Sequence, residues 1–139
     1  MFTSVSSRSA SAYKRASVDA SVEMADPHQL VELLFSALQR HLGAAKLHIQ
    51  AGDVAGKCKQ LGAAIRILEE GLIAPIDMVN GGELAVNLRS LYEYCVNRLV
   101  MANAKSDAAI VDEVVRLIEP VASGWKQING QGPAYLKSV

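Results

Sequence analysis

The chain has 139 residues, half of them hydrophobic, which is enough to form the core of a single domain. Its 14 basic and 14 acidic residues balance, so no net field draws it to nucleic acid or acidic lipid, and nucleic-acid binding is not expected. No stretch approaches the roughly 18 consecutive apolar residues of a membrane-spanning helix, so membrane insertion is not expected either.

Residues 1–25 differ in composition from the rest of the chain. They contain seven serines and few apolar side chains, which is typical of a flexible arm. Tyr13 and a few aliphatic residues are exceptions, and a wholly solvated tail would have little use for them. Because these residues lack the apolar run of a signal peptide, we expect a cytosolic protein in which Cys58 and Cys95 are reduced core thiols.

The first two helices have clear start and stop signals. Asp26-Pro27 begins the first helix, because Asp is a good N-cap and Pro fits the first helical position. Ala51-Gly52 ends it, and Asp53 caps the second helix. Leucine and isoleucine recur at helical spacing through both segments, so we predict two amphipathic helices joined by a short turn.

The second half of the chain repeats this organisation. Asn80-Gly81-Gly82 marks the connection to a third helix, and Asp107 caps a fourth. Pro120 lies inside the fourth helical pattern and is expected to kink that helix or loosen one backbone hydrogen bond. Glycine and proline in residues 130–133 then break the helix.

Four amphipathic segments with short connections predict an all-α fold, an antiparallel four-helix bundle, because no strand-like alternation competes with them. We predict three regions: residues 1–25 form the flexible N-terminal arm, residues 26–129 form the bundle, and residues 130–139 form a loose C-terminal tail.

The apolar faces of the helices are wider than the ~100° stripe that a bundle core needs. In the fourth helix, four residues lie beside the predicted core line and widen the apolar arc to ~160°: Val111, Val115, Ile118 and Ala122. In the second helix, Ile67 lies nearly opposite the core line. The pattern fits a thick core, and it also fits a hydrophobic groove for a partner helix; both interpretations stay open.

One flank of the third helix carries four residues at helical spacing: Asn87, Leu91, Tyr94 and Arg98. These residues form either a polar boundary of the core or an amphipathic strip that hydrogen-bonds the backbone of a docked peptide. The spacing alone does not choose between these interpretations.

The residues that could perform chemistry form no catalytic or metal-binding pattern, so we predict no catalytic residue, no cofactor and no metal ion. His41 and His48 share a helix face, but a zinc pair on a helix prefers the i, i+4 spacing. One alternative is a phosphotransfer domain that uses either histidine, and another is a structural bundle that self-associates. Glu113 and Arg116 are interpreted as part of a solvated helix face.

The stretch GGELAVNLRSLYEYCVNRLVMANAKSD, residues 81–107, resembles the signature of the FliS family, the cytosolic export chaperones for flagellin. The matching positions are Gly81, Gly82, Glu83, Leu84, Ala85, Asn87, Leu88, Leu91, Tyr92, Tyr94, Arg98, Leu99, Ala102, Asn103 and Asp107. The segment SAYKRASV, with Tyr13, resembles the family as well, and the resemblance extends from about residue 11 to about residue 128. Asp26 replaces the usual Ser, and Phe35-Ser36 replace Tyr-Asp-Gly.

The resemblance implies a four-helix bundle that binds the disordered C-terminal segment of flagellin. This segment would become partly helical along the bundle, which would prevent premature polymerisation and keep flagellin competent for type III export. The resemblance also implies docking on a component of the export gate, and an N-terminal arm that lies over the guest site when no client is bound. An anti-sigma factor or a co-chaperone is considered as a further partner.

We predict a partner-binding surface and no enzyme activity. The predicted surface residues are Tyr13, Ile67, Asn87, Leu91, Tyr94, Arg98, Val111, Val115, Ile118 and Ala122. If Ile118 lies in a groove, its replacement by Asp should reduce client binding much more than stability.

Overall fold

The computed structural model describes residues 26–128, which are mostly helical. This range contains α1 (Pro27–Ala51), α2 (Val54–Arg66), a π-helical segment (Ile67–Ile73), α3 (Gly82–Lys105) and α4 (Ala108–Lys126). No β-strand occurs within it, so the predicted all-α fold is confirmed. The predicted arm, Tyr13 and the predicted tail lie outside the described residues, as does residue 129.

The helices pack in a closed ring of four neighbours. α1 packs against α2 and α4, and α3 packs against α4 and against the α2–π segment. Successive helices run in opposite directions because each connection is short. The antiparallel bundle predicted from the amphipathic pattern is therefore the observed architecture.

The predicted helix ends agree with the structure. The Gln29 amide donates to Asp26 Oδ1 at 2.7 Å, and the Asp26 amide donates to Gln29 Oε1 at 3.2 Å, which completes a capping box ahead of Pro27. Gly52 ends α1 in the left-handed conformation, with φ of 72°. The Asp53 carboxylate then accepts from the Gly56 amide at 3.0 Å at the start of α2.

The turn between α3 and α4 is held by a lysine from a third helix. The Lys57 ammonium donates to the carbonyl oxygen of Asn103 at 2.9 Å and to the hydroxyl of Ser106 at 2.7 Å. A cation at this position also complements the negative end of the α3 dipole. Asp107 caps α4 by accepting from the Ala109 amide at 2.9 Å.

The second helix changes its hydrogen-bonding pattern after Arg66. The seven residues Ile67–Ile73 form a π-helix, and at its end the Ala74 amide donates to the Glu69 carbonyl oxygen, five residues earlier, at 3.1 Å. The sequence predicts a continuous α-helix here. The segment packs against α3, and π-helical turns are rare and occur frequently at functional sites.

The core of α4 is rotated relative to the line predicted from the sequence. Val111, Val114 and Ile118 have no exposed surface, and Ala122 is 7% exposed. The prediction that Val111, Ile118 and Ala122 lie beside the core is therefore wrong. All three side chains are part of the core. The cause is that α4 has neighbours on two sides, α1 and α3, which bury an arc wider than a single stripe. Val115 is half-buried at the edge of that arc.

α2 and the π-helical segment that continues it are also rotated relative to the predicted core line. Ile67, placed nearly opposite the core line by periodicity, is fully buried, whereas Cys58 is exposed. The buried face includes Ala63 and Ala64, whose small side chains contribute little to a hydrophobic pattern. Cys95 is buried as predicted, and burial, followed by the nearby Glu113 charge, raises the pKa of its thiol to about 11.

Two glycines provide a matched test of the helix boundaries. Gly52→Ala should destabilise the bundle by about 1 kcal/mol, because a Cβ is unfavourable at positive φ. Gly62→Ala lies inside α2, where an added Cβ meets no atom within 4 Å, and it should stabilise the bundle by about 0.5–1 kcal/mol. Chemical denaturation of the two variants measures both effects. If both substitutions changed the free energy of unfolding equally and in the same direction, the assignment of the end of α1 at Gly52 would be contradicted.

Candidate partner-binding surface

The predicted flank of α3 faces the seam between α3 and α4. Asn87 is exposed, Leu91 and Arg98 are half-buried, and Tyr94 is 45% exposed. Two of these side chains, Tyr94 and Arg98, meet at Glu113 of α4. Asn87 and Leu91 continue the same flank toward the start of α3.

Glu113 of α4 joins Tyr94 and Arg98 into one cluster. The Tyr94 hydroxyl donates to Glu113 Oε2 at 2.5 Å, and Arg98 Nε donates to Glu113 Oε1 at 2.7 Å. Glu113 keeps the partial exposure expected of a helix face, with its side chain 30% exposed, and its carboxylate also joins the two helices. Sequence reasoning missed this residue because its partners lie on another helix.

The contacts within the cluster shift the pKa values of its members. The hydrogen bond from Tyr94, followed by that from Arg98, lowers the pKa of Glu113. Donation to that carboxylate raises the pKa of Tyr94. Because the pKa of Glu113 lies below its ordinary value, these contacts stabilise the bundle above the ordinary carboxyl pKa. Their contribution is lost as the pH falls through the folded-state value.

Tyr94→Phe tests the cluster directly. Without the phenol donor, the pKa of Glu113 should rise toward its ordinary value, because the first cause of its depression is gone. An NMR titration of the Glu113 side-chain carboxyl carbon measures the change. Arg89→Gln is the control, since Arg89 pairs with Glu93 at 3.6 Å and should leave Glu113 unaffected. An unchanged Glu113 titration in Tyr94→Phe would contradict the geometry.

The same contacts set the register between the two helices. Glu113 bonds to both Tyr94 and Arg98, so it is level with the middle of that turn of α3. Both helices rise about 1.5 Å per residue in opposite directions, so each step down α3 from this level is matched by a step along α4 from Glu113. On this count Leu88 is level with Val121, and Leu91 is level with Ile118, next to Leu117. The seam below the cluster is apolar along this length.

We call this seam the α3–α4 strip and define it by five residues: Leu84, Leu88, Leu91, Leu117 and Val121. Leu84 is 53% exposed. The other four are partly buried and pack against the edge of the core. A row of leucine and valine side chains that borders the core and reaches solvent can receive the apolar face of a partner helix.

The strip contains residues that sequence reasoning assigned elsewhere. Leu84 and Leu88 belong to the regular apolar pattern of the third helix, which predicts core positions. Their exposure follows from their place at the start of α3, near the end of the bundle. Leu117 and Val121 lie outside the core because the buried arc of α4 is centred on Val114 and Ile118.

The opposite flank of α3 borders the π-helical segment. An open groove there is lined by Glu69, Ile73, Glu93, Val96 and Asn97. It lies on the other side of α3 from the strip. A molecule on the strip would therefore leave this groove accessible.

Four predicted surface residues are not available at the surface. Ile67, Val111 and Ile118 have no exposed area, and Ala122 is 7% exposed. A partner could reach them only if the helices moved apart, so their binding role stays a prediction. Tyr13 lies outside the described residues.

The histidines of α1 have internal contacts. His41 Nδ1 lies 2.6 Å from Gln60 Oε1, and His48 Nδ1 lies 3.0 Å from Asp53 Oδ2. His28 stacks on Trp125 with ring centroids 4.9 Å apart, and the indole donates to the His28 carbonyl oxygen at 2.9 Å. Through these contacts each of the three imidazole rings packs or bonds against a residue outside α1, which indicates a structural role.

Two further observations concern the described residues only. No group of three or more His, Cys, Asp or Glu side chains in residues 26–128 is placed to hold a metal ion. None of the helices in that range combines the length and apolarity needed to cross a membrane.

Comparison with known proteins gives a consistent result. The family model described as flagellar protein FliS matches residues 9–132. The flagellar secretion chaperone FliS of Salmonella typhimurium is 43% identical over 118 residues, which cover 85% of this chain and 87% of that protein. The flagellar secretion chaperone FliS of Vibrio cholerae is 36% identical over 84% of this chain and 85% of its own length. The flagellar secretion chaperone FliSB of Pseudomonas aeruginosa is 39% identical over 84% and 92%.

Proposed function

Because this chain belongs to the FliS family of flagellar secretion chaperones, we propose that it binds the disordered C-terminal segment of flagellin in the cytosol. The bound segment becomes partly helical, cannot polymerise and remains competent for export. The observation that carries the proposal is the α3–α4 strip, an apolar seam whose α3 side lies within the stretch that resembles the family signature.

The client segment is disordered before it binds. A disordered segment that folds on binding loses conformational entropy, so its affinity must come from burial of apolar surface. The strip offers aliphatic side chains from both helices. Along each helix they recur every three or four residues, which is the sequence spacing of a helix-in-groove contact. Asn87 and Tyr94 border the strip with polar groups suited to the backbone or side chains at the rim of an interface.

A polymerisation assay tests the proposed activity. Flagellin seeded with short filament fragments should stop elongating when the full chain is present at a stoichiometric ratio, because the segment needed for assembly is occupied. Elongation at an unchanged rate would reject the proposal. If the strip instead mediated self-association, sedimentation would show a dimer that fails to form a one-to-one complex with flagellin.

Further partners are part of the proposal. We propose that the client complex docks on a component of the export gate, and that an anti-sigma factor or a co-chaperone is a second partner. The groove beside the π-helical segment supports a second partner, because it lies on the flank of α3 away from the strip.

We propose that residues 1–25 cover the strip when no client is bound. Deletion of residues 1–18 should then leave the fold intact and increase client affinity, because an internal competitor is removed. Thermal unfolding and a client titration of the shortened chain measure the two effects. Loss of the folded state would show instead that the arm belongs to the core.

A further inference from the structure

The loop between the π-helical segment and α3 exposes two apolar side chains, Met78 and Val79, which we call the loop tip. Val79 is 89% exposed, more than any other large hydrophobic side chain of residues 26–128, and Met78 is 40% exposed. A single exposed apolar residue is common on a protein surface. The loop tip differs because Leu84, the first residue of the α3–α4 strip, follows Val79 by only five residues and is itself 53% exposed.

The loop that carries this tip is held in one conformation. Ile76, just before the tip, is 2% exposed and anchors the chain in the core. Asp77 Oδ1 accepts from the amides of Val79 and Asn80, each at 3.0 Å, and the Asp77 carbonyl oxygen accepts from the Gly81 amide at 2.9 Å. Because the loop is already ordered, a partner that covers the tip would lose little further conformational entropy in it.

The strip alone is small for a binding surface. From Leu84 to Leu91 its α3 side spans about 11 Å, which is two turns of helix. A specific protein interface usually buries about 800 Å² on each partner, contributed by about 20–30 residues. The five residues of the strip supply only part of such an area. A client that binds the strip therefore needs further surface next to one of its ends.

The two ends of the strip differ in what adjoins them. Toward the α3–α4 turn, the polar cluster around Glu113 crosses the seam. Met101, beyond that cluster, accepts from Arg98 Nη1 through its sulfur atom at 3.3 Å, so this exposed side chain is bonded to the cluster. At the other end Val79 lies at most about 17 Å from Leu84, because five residues of chain cannot span more. The apolar surface that adjoins the strip at this end is the loop tip.

We infer that the flagellin segment bound on the strip continues past Leu84 and covers the loop tip, where it buries Met78 and Val79. The inference rests on the proposed function and adds a second contact surface for the same client. The tip presents aliphatic and thioether groups, so the client residue that meets it has a large apolar side chain. The loop then acts as a fixed apolar contact at the end of the bundle.

Val79→Ser tests the contact in the full chain, with a flagellin C-terminal peptide as the probe in calorimetric titration. The variant should bind about 5- to 20-fold less tightly, because burial of the valine side chain is lost. Its denaturation midpoint should not change, since Val79 is 89% exposed in the folded chain. An unchanged affinity, with the native chain still binding the peptide, would overturn the inference and leave the proposed function in place. A native chain that does not bind would reject the proposed function.

Val54→Ser is the matched control. Val54 is 63% exposed at the start of α2. That start lies at the other end of the bundle, because Lys57 of the same helix bonds to Ser106 beyond the end of α3. The control should bind the peptide as tightly as the native chain. Equal losses of affinity in the two variants would overturn the inference, since the effect would then not depend on the loop tip.

A paramagnetic label shows whether the client reaches the tip. Val79→Cys in a Cys58→Ser background carries one nitroxide, because Cys95 is buried. The label should broaden a short run of resonances of an isotope-labelled flagellin C-terminal peptide, and the same label at Val54→Cys should broaden that run less. Binding without broadening from position 79 would overturn the inference.

Two other occupants of the tip give different results. If a second copy of the chain covered it, sedimentation of the native chain would show a dimer that Val79→Ser dissociates. If residues 129–139 of the same chain covered it, Val79→Ser would lower the free energy of unfolding. Either result would overturn the inference.

Discussion

Ile118→Asp is expected to unfold the bundle at room temperature. Ile118 has no exposed surface, and the substitution removes a large aliphatic side chain while placing a carboxylate among apolar neighbours. Loss of the side chain alone costs about 2–5 kcal/mol, and burial of an unpaired polar group adds several more. The total is comparable with the roughly 5–15 kcal/mol that stabilises a typical domain.

Circular dichroism and chemical denaturation provide the measurement, with Val100→Asp as the matched control. Val100 is 55% exposed on α3, so the same change there should cost less than about 0.5 kcal/mol. A folded Ile118→Asp variant that had lost only client binding would restore the groove interpretation of this residue. That outcome would contradict the observed core of α4.

Leu84→Asp is expected to leave the bundle folded and to weaken the binding of flagellin. Leu84 is 53% exposed, so the folded state should lose little stability. A partner helix on the strip would bury this leucine, and a carboxylate in its place would have to be desolvated. Flagellin affinity should therefore fall about 10- to 100-fold, as expected for loss of an apolar contact together with introduction of a buried charge.

Leu47→Asp is the control for that experiment. Leu47 is 68% exposed on α1, which is not a neighbour of α3 in the described ring of helices. The two variants introduce the same charge on equally apolar positions, so an effect of net charge would appear in both. Equal losses of affinity in both variants, or none in either, would exclude the strip as the site.

Helix ends could be predicted from the sequence because they are local. Asp26, Asp53 and Asp107 each accept from a backbone amide two or three residues later, and Gly52 supplies the left-handed residue that ends α1. Such contacts depend only on neighbours in sequence. The family resemblance could also be found from the sequence, because it rests on a long run of residues at fixed spacing.

The rotation of each helix could not be predicted in the same way. Periodicity gives the width of an apolar arc, but the arc that becomes core depends on which neighbours pack on each side. The π-helical segment and α4 each pack on both α1 and α3, which is why Ile67 and Ile118 are buried and Leu117 is not fully buried. The π-helical segment adds a change in hydrogen-bonding pattern that no residue of Ile67–Ile73 signals.

The polar cluster at the seam could not be predicted from the sequence either. Glu113 and Arg116 have the i, i+3 spacing of an ordinary ion pair on a helix surface. That spacing gives no reason to expect a further partner for Glu113 on another helix. The actual partners, Tyr94 and Arg98, are brought to Glu113 only by the packing of α3 on α4. Contacts between helices require the register, and the register follows from the fold.

The central claim is that the α3–α4 strip binds the C-terminal segment of flagellin. The most direct test is calorimetric titration of the full chain with that peptide at several temperatures. We expect saturable one-to-one binding with a large negative heat-capacity change, because apolar surface is buried as the peptide folds. The absence of binding heat together with the absence of co-elution would contradict it.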